Sequence, residues 1–337
     1  MTRSTLAGTN TVGGTLAITS GGMITDSAGT SLSVTGAATL VANAGTSAIT
    51  LGDDAGDTTN FGSLDLTGSA VTVSEDSGTV LAGVSASSLD LTSNGAITDS
   101  ATTSLVVTNT ATFNAGSNAI TLGDNAGDTT NFGSLDLTGS AVTVSEDSAS
   151  QLDGLSVTSL DLTSTAGITD GATSTLTASG NVALTAGTTI SIGGDDDTVN
   201  FGSVTLNGTM VSLTEDDGTQ FTGTSSASTS LTLTSAGDIT DTTNASLTVG
   251  GNAALSVTDT ATQDITLGEA GTDNLQLGSV TVSANNVALS EDDATVFSGT
   301  NTAAGTLTVT SGGTITDLGD DDVQCRGVWR RSMRTGA

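Results

Sequence analysis

Residues 48–77, AITLGDDAGDTTNFGSLDLTGSAVTVSEDS, return as residues 119–148 with a single change, Asp54 replaced by Asn125. Looser copies follow at 189–217 and 264–293. A chain that copies itself at this length stacks one supersecondary unit on the next. Its 337 residues therefore count copies rather than independent domains. An Ile-Thr-Asp marker at Ile24, Ile97, Ile168, Ile239 and Ile315 spaces the copies by 73, 71, 71 and 76 residues. Residues 8–322 read as four repeats of about 72 residues, preceded by a leader at 1–7 of unknown role.

Within a repeat, short apolar runs recur about every eight residues: SLSV, AITL, SLDL, AVTV and SLDL again. In 88–93 the alternation faces Leu89 and Leu91 inward and leaves Asp90 and Thr92 outside. Alternation of period two is the strand signature. The runs are too short, and too rich in Thr and Val, for helices. Asn, Asp, Gly and Ser separate them, which is turn chemistry. No bulky core residue is available for a sandwich, whereas stacked coils need only a thin interior of Leu, Val, Ile and Ala. The expected fold class is all-β, a repetitive parallel β-helix (β-solenoid) with about three short strands per coil. About three coils per repeat give roughly twelve coils and, at about 4.8 Å each, a rod of about 60 Å. Six residues beyond Glu75, Glu146, Glu215 and Glu291 stand Leu81, Leu152, Phe221 and Phe297, all large and apolar, as a shared inward slot requires.

Charge narrows the function. Residues 4–325 carry every acidic side chain and no lysine or arginine, and the chain has a net charge of -31. Such a body repels itself unless water, salt or metal ions intervene. It excludes nucleic acid, whose phosphates need Lys and Arg, and it avoids anionic membranes. The single cysteine, Cys325, allows no intrachain disulfide. No run is long enough to span a membrane as a helix. The opening MTRSTLAGTN has no apolar h-region, so the expectation is an internal piece of a larger polypeptide. With no histidine there is no Ser-His-Asp triad and no ordinary zinc site.

The end departs from the body. Residues 323–337, VQCRGVWRRSMRTGA, hold the only Trp, the only Cys and four of the five basic residues. They read as an atypical basic tail outside the array, either a cap or docking tail or a frameshifted end.

Two acidic features could carry chemistry. The first is the loop GDDAGDTTN at 52–60, with copies GDNAGDTTN at 123–131, GGDDDTVN at 193–200 and GEAGTDN at 268–274. Hard cations take several oxygen ligands, which Asp, Asn and carbonyl groups on a Gly-flexed loop supply. Stacking such loops would gather carboxylates, so a calcium site is read at Asp53, Asp54 and Asp57, at Asp124 and Asp128, and at Asp195, Asp196 and Asp197. The plainer reading is solvated turns. No other cofactor is expected. The second feature is the Glu-Asp pair of SEDS, SEDS, TEDD and SEDD at 74–77, 145–148, 214–217 and 290–293. Paired carboxylates serve glycoside hydrolysis, but four adjacent copies fit a structural turn or a weak cation site better. No enzymatic activity is expected.

Phrases such as SLDLTSNGAITDS at 88–100 and TLTVTSGGTITD at 306–317 resemble the repeats of filamentous-haemagglutinin-like adhesins and other giant repetitive bacterial surface proteins. The resemblance implies a right-handed parallel β-helix, exported to the cell surface or medium, that projects adhesive regions toward an extracellular polymer or cell-surface ligand. The leading expectation is a structural stalk without catalysis. The alternative is a calcium-binding acidic repeat that orders on binding the ion.

Overall fold

A computed structural model describes residues 2–194, 196–318, 323–325 and 329–333. It is all-β, a parallel β-solenoid of about 14 turns. Contacts divide it into two units, Met1–Thr165 and Ala166–Ala337.

In the first unit the alternation works as the sequence dictates. Along Ser88–Ser93, Leu89 and Leu91 are buried while Asp90 is exposed. The inward residues stack from turn to turn in three parallel ladders. One runs Ile24, Ile49, Val71, Leu89, Ala111, Leu135. A second runs Thr79, Ile97, Ile120, Val142, Leu160. A third runs Leu40, Leu66, Val84, Leu105, Thr130. Like side chains mostly lie directly over like, so a thin aliphatic interior suffices, each buried Leu or Val contributing about 1.5–3 kcal/mol. Phe113 and Phe132 meet edge to face with centroids 5.5 Å apart.

Three segments make a turn, but a repeat is not a whole number of turns. From Ile24 to the residue before Ile97 the chain lays down ten ladder segments: 24–25, 31–34, 37–41, 49–51, 58–61, 63–67, 70–75, 79–81, 83–86 and 88–93. Ten segments over three faces is three turns and a third. The marker isoleucines Ile24 and Ile97 consequently stand in different ladders.

The second unit repeats the arrangement. Ile168, Ile190, Val211, Leu231, Ala253 and Val280 form one ladder. Thr219, Ile239, Ile265, Val287 and Leu307 form another. The slot residues Leu81, Leu152, Phe221 and Phe297 are all buried.

Both ends pair with the array. In the leader, Ser4–Thr5 runs beside Ile24–Thr25. The tail is set apart by composition, yet the backbone of Val323–Cys325 pairs with Asn301–Ala303, and that of Trp329–Met333 pairs with Leu307–Ser311.

Candidate metal centre

The first acidic loop leaves Ile49–Leu51 at Gly52, whose φ of 72° is left-handed. A Cβ there would strike the carbonyl oxygen of Ser74 on the next turn, so only glycine makes this corner. The Gly52 N–H donates to Asp26 Oδ2 at 2.8 Å. Asp26 closes the Ile-Thr-Asp marker one turn earlier. The loop returns through Asp57, whose Oδ1 accepts the Thr30 N–H at 2.8 Å and whose Oδ2 accepts the Asp54 N–H at 3.1 Å. One carboxylate thus closes its own loop and fastens it to the preceding turn.

The same bonds recur in every copy. Asp99 accepts from Gly123 at 3.0 Å, and Asp128 from Thr103 and Asn125 at 2.7 and 2.9 Å. Asp170 accepts from Gly193 at 2.6 Å, and Asp197 from Ser174 and Gly194 at 2.7 and 2.8 Å. Asp241 accepts from Gly268 at 2.8 Å, and Asp273 from Asn244 and Ala270 at 2.7 and 2.9 Å.

In the first two copies three carboxylates converge. Asp26, Asp53 and Asp57 each bring an oxygen within 4.8 Å of the others, as do Asp99, Asp124 and Asp128. Burial pushes the Asp26 carboxyl up, and the Asp57 and Asp53 charges push it further against the Gly52 N–H bond. Burial raises Asp99 likewise, with Asp128 and Asp124 adding to it. The third copy has Gly194 where the first has Asp53, and among the described residues no third carboxylate gathers with Asp170 and Asp197.

The sequence-derived set is therefore split. Asp53, Asp57, Asp124 and Asp128 come together, each pair with a marker aspartate. Asp54 is exposed and lends the cluster only its N–H. Asp196 is exposed at a φ of 66°. Asp197 serves its turn: burial raises its carboxyl, but the Gly194 and Ser174 bonds outweigh that and hold it low. Asp195 lies outside the described residues. The loops do not stack on one another as the sequence suggests. Those at 52–57 and 123–128 leave strands in different ladders, and so do those at 193–197 and 268–273. The third of a turn added by each repeat moves each loop to another corner. Asp26, Asp99, Asp170 and Asp241 are legible in the sequence only as a periodic marker. Their distance from the next loop, 26 residues from Asp26 to Gly52, is the one-turn spacing that points to them.

The second acidic feature turns inward. Glu75, Glu146, Glu215 and Glu291 are all 0–1 % exposed. Their Oε1 atoms accept the N–H of Phe61, Phe132, Phe201 and Leu277 at 2.8, 2.7, 2.9 and 2.8 Å. The neighbouring aspartates Asp76, Asp147, Asp216 and Asp292 accept the N–H of Thr59, Thr130, Val199 and Leu275 at 2.8, 3.0, 2.8 and 3.1 Å. Residues 58–61 pair with 31–34 on one side. On the other side the turn is short, Leu64 pairing with Leu81, and carboxylates take N–H groups that a strand would take. Burial pushes Glu146, Glu215 and Glu291 up to about 7, and Glu75 up as well. This is the structural role expected of the Glu-Asp pair, carried out from inside the wall.

Fold and site together define a repeat-containing β-solenoid structural protein. A family described as repeats of unknown function (DUF5649) matches residues 2–66, 68–136, 208–283 and 284–327. That is well over half of the chain, which belongs to this family. The family's description speaks of repeats and not of adhesion. No curated protein matches, and no solved structure matches.

Proposed function

We propose that the chain is a spacer segment, a stalk, of a secreted or cell-surface bacterial protein, and that it carries no catalysis. The observation behind this reading is the register itself. Ladder after ladder pairs in parallel with the next turn, so each added copy of the repeat adds length without needing a new core. The surface suits a spacer. Residues 4–325 present carboxylates and hydroxyls and no basic group, which keeps neighbouring stalks apart. The likeness of its phrases to surface-adhesin repeats supports an extracellular setting. An extracellular polymer or cell-surface ligand is the partner class that fits it.

The test is geometric and cellular. Inserting one further copy of the 71-residue repeat (98–168) should lengthen the particle by about three and a third turns, about 16 Å at roughly 4.8 Å a turn, in small-angle scattering. Tagged protein should also be removed by protease from intact cells of the source bacterium. A particle that widens without lengthening, or a tag that stays protected, overturns the reading.

A further inference from the structure

We propose that Asp26, Asp53 and Asp57 bind one calcium ion, and that Asp99, Asp124 and Asp128 bind a second. The proposal does not depend on the spacer reading. Carboxylates are common on this chain, and a cluster alone says little. What singles out these two is an unspent ligand atom. Asp26 is only 7 % exposed. Its Oδ2 is used by the Gly52 N–H, while its Oδ1 is buried and has no hydrogen-bond partner. Asp99 is half-buried, and its Oδ1 atom is likewise buried and without a hydrogen-bond partner. A buried carboxylate oxygen without a donor costs stability, and in both copies the aspartate that carries it is gathered with two further carboxylates.

The spacing suits a cation rather than a proton. An ion shared by three oxygens within 4.8 Å of one another stands at most about 2.8 Å from each, so a few tenths of an ångström of side-chain movement bring all three into the range of calcium–oxygen bonds, about 2.3–2.6 Å. Calcium accepts six to eight oxygens in irregular arrangements, so three carboxylates on a loop and a strand end can be completed by water. Magnesium demands a regular octahedron and gives up its water reluctantly. No basic side chain exists between residues 4 and 325 to neutralise the cluster instead, and the Arg3 guanidinium donates to the Thr25 hydroxyl. Asp26 and Asp53 lie on consecutive turns, so a bound ion would join one turn to the next.

The test is calcium titration of the full chain by calorimetry, at about 0.15 M salt to screen diffuse attraction. Two calcium ions should bind saturably per chain, and the thermal midpoint should rise with calcium. The variant D53N/D124N alters two exposed side chains outside the backbone-fastening bonds and should weaken both sites about tenfold or more. The charge-matched variant D90N/D161N, on exposed strand faces, should bind as the wild type does. D26N/D99N should lose the calcium-dependent rise in midpoint. Uptake that never saturates, binding unchanged in D53N/D124N, or an equal loss in D90N/D161N would overturn the proposal. So would magnesium of equal affinity.

Discussion

The backbone N–H of Phe61 meets the carboxylate of Glu75 at 2.8 Å, fourteen residues further along the chain. Glu75 is in phase with Val71 and Val73 on its strand, so it faces the interior. In an alternating strand the position, and not the charge, decides which way a side chain points. The carboxylate then has to find donors inside, and they are the Phe61 N–H, the Thr79 hydroxyl at 2.7 Å and the Ser77 hydroxyl at 3.2 Å.

The second copy separates two contributions. Glu146→Gln keeps an oxygen for the Phe132 N–H and removes the buried charge. It should unfold in urea at pH 4.5, where the folded glutamate is protonated too, within about 1 kcal/mol of wild type. Glu146→Ala leaves that N–H without an acceptor and opens a void. It should cost about 2–4 kcal/mol. Equal losses in the two variants would mean that the bond to Phe132 does not stabilise the turn.

These glutamates should also make the protein more stable in mild acid than at neutral pH. Burial raises Glu146, Glu215 and Glu291 from 4.5 to about 7. Between those values the folded chain holds more protons than the unfolded one, so stability falls as pH rises. The contribution is fully present below pH 4.5 and is lost by about pH 7, of order 3 kcal/mol for each glutamate. Burial raises Asp26, Asp99, Asp170 and Asp241 in the same direction. The urea midpoint should therefore be higher at pH 5 than at pH 7.5. The triple variant E146Q/E215Q/E291Q should flatten the difference. A midpoint that rises toward neutral pH, as for most proteins with surface ion pairs, would contradict this.

Much of the fold can be read from the residues because one local rule governs it. Alternation along 88–93 places Leu89 and Leu91, and the copies of Leu81 share a buried slot. What stays hidden depends on counting around the solenoid. A period of about 72 residues reads naturally as three coils. Only the short turn from Leu64 to Leu81 reveals a tenth segment and the extra third of a turn. That third moves the acidic loops to different corners, and with about three turns between them in any case, Asp53 meets Asp26, one turn away, and not Asp124. Glu75 misleads for a different reason. A Glu-Asp pair beside Ser reads as a structural turn or a weak cation site, and nothing in the pair shows its glutamate buried, although Val71 and Val73 already set the phase that buries it.

The corner at Gly52 should tolerate no side chain. Its φ is 72°, and an added Cβ would meet the Ser74 carbonyl and the Thr59 hydroxyl. Gly56, four residues on, also has a positive φ, 92°, but open space around it. Gly56→Ala should therefore cost only the left-handed strain, about 1–2 kcal/mol. Gly52→Ala adds a clash with backbone and should cost about 3 kcal/mol or more. Thermal melts of the two variants compare them directly, and equal midpoints would remove the clash from the account.

Deletions distinguish the repeat from the turn. Removing residues 25–97 excises one 73-residue repeat and joins Ile24 to Thr98. Every following segment moves by ten places, hence to another face; the first turn after the join meets residues 4–20 in place of 79–93, and every later segment meets the same sequence below it as before. Glu146 keeps Phe132, and the next marker keeps its loop. This variant should fold with nearly unchanged cooperativity and be shorter by about three and a third turns. Removing residues 49–70 deletes one geometric turn, since Ile49 pairs with Val71. All later segments stay on their original faces, but Phe61 is gone and Glu75 is left buried without its N–H donor. The smaller deletion should be the more damaging, with a lower melting midpoint than the larger one. The opposite order would mean that keeping each face in place matters more than keeping Glu75 beside its donor.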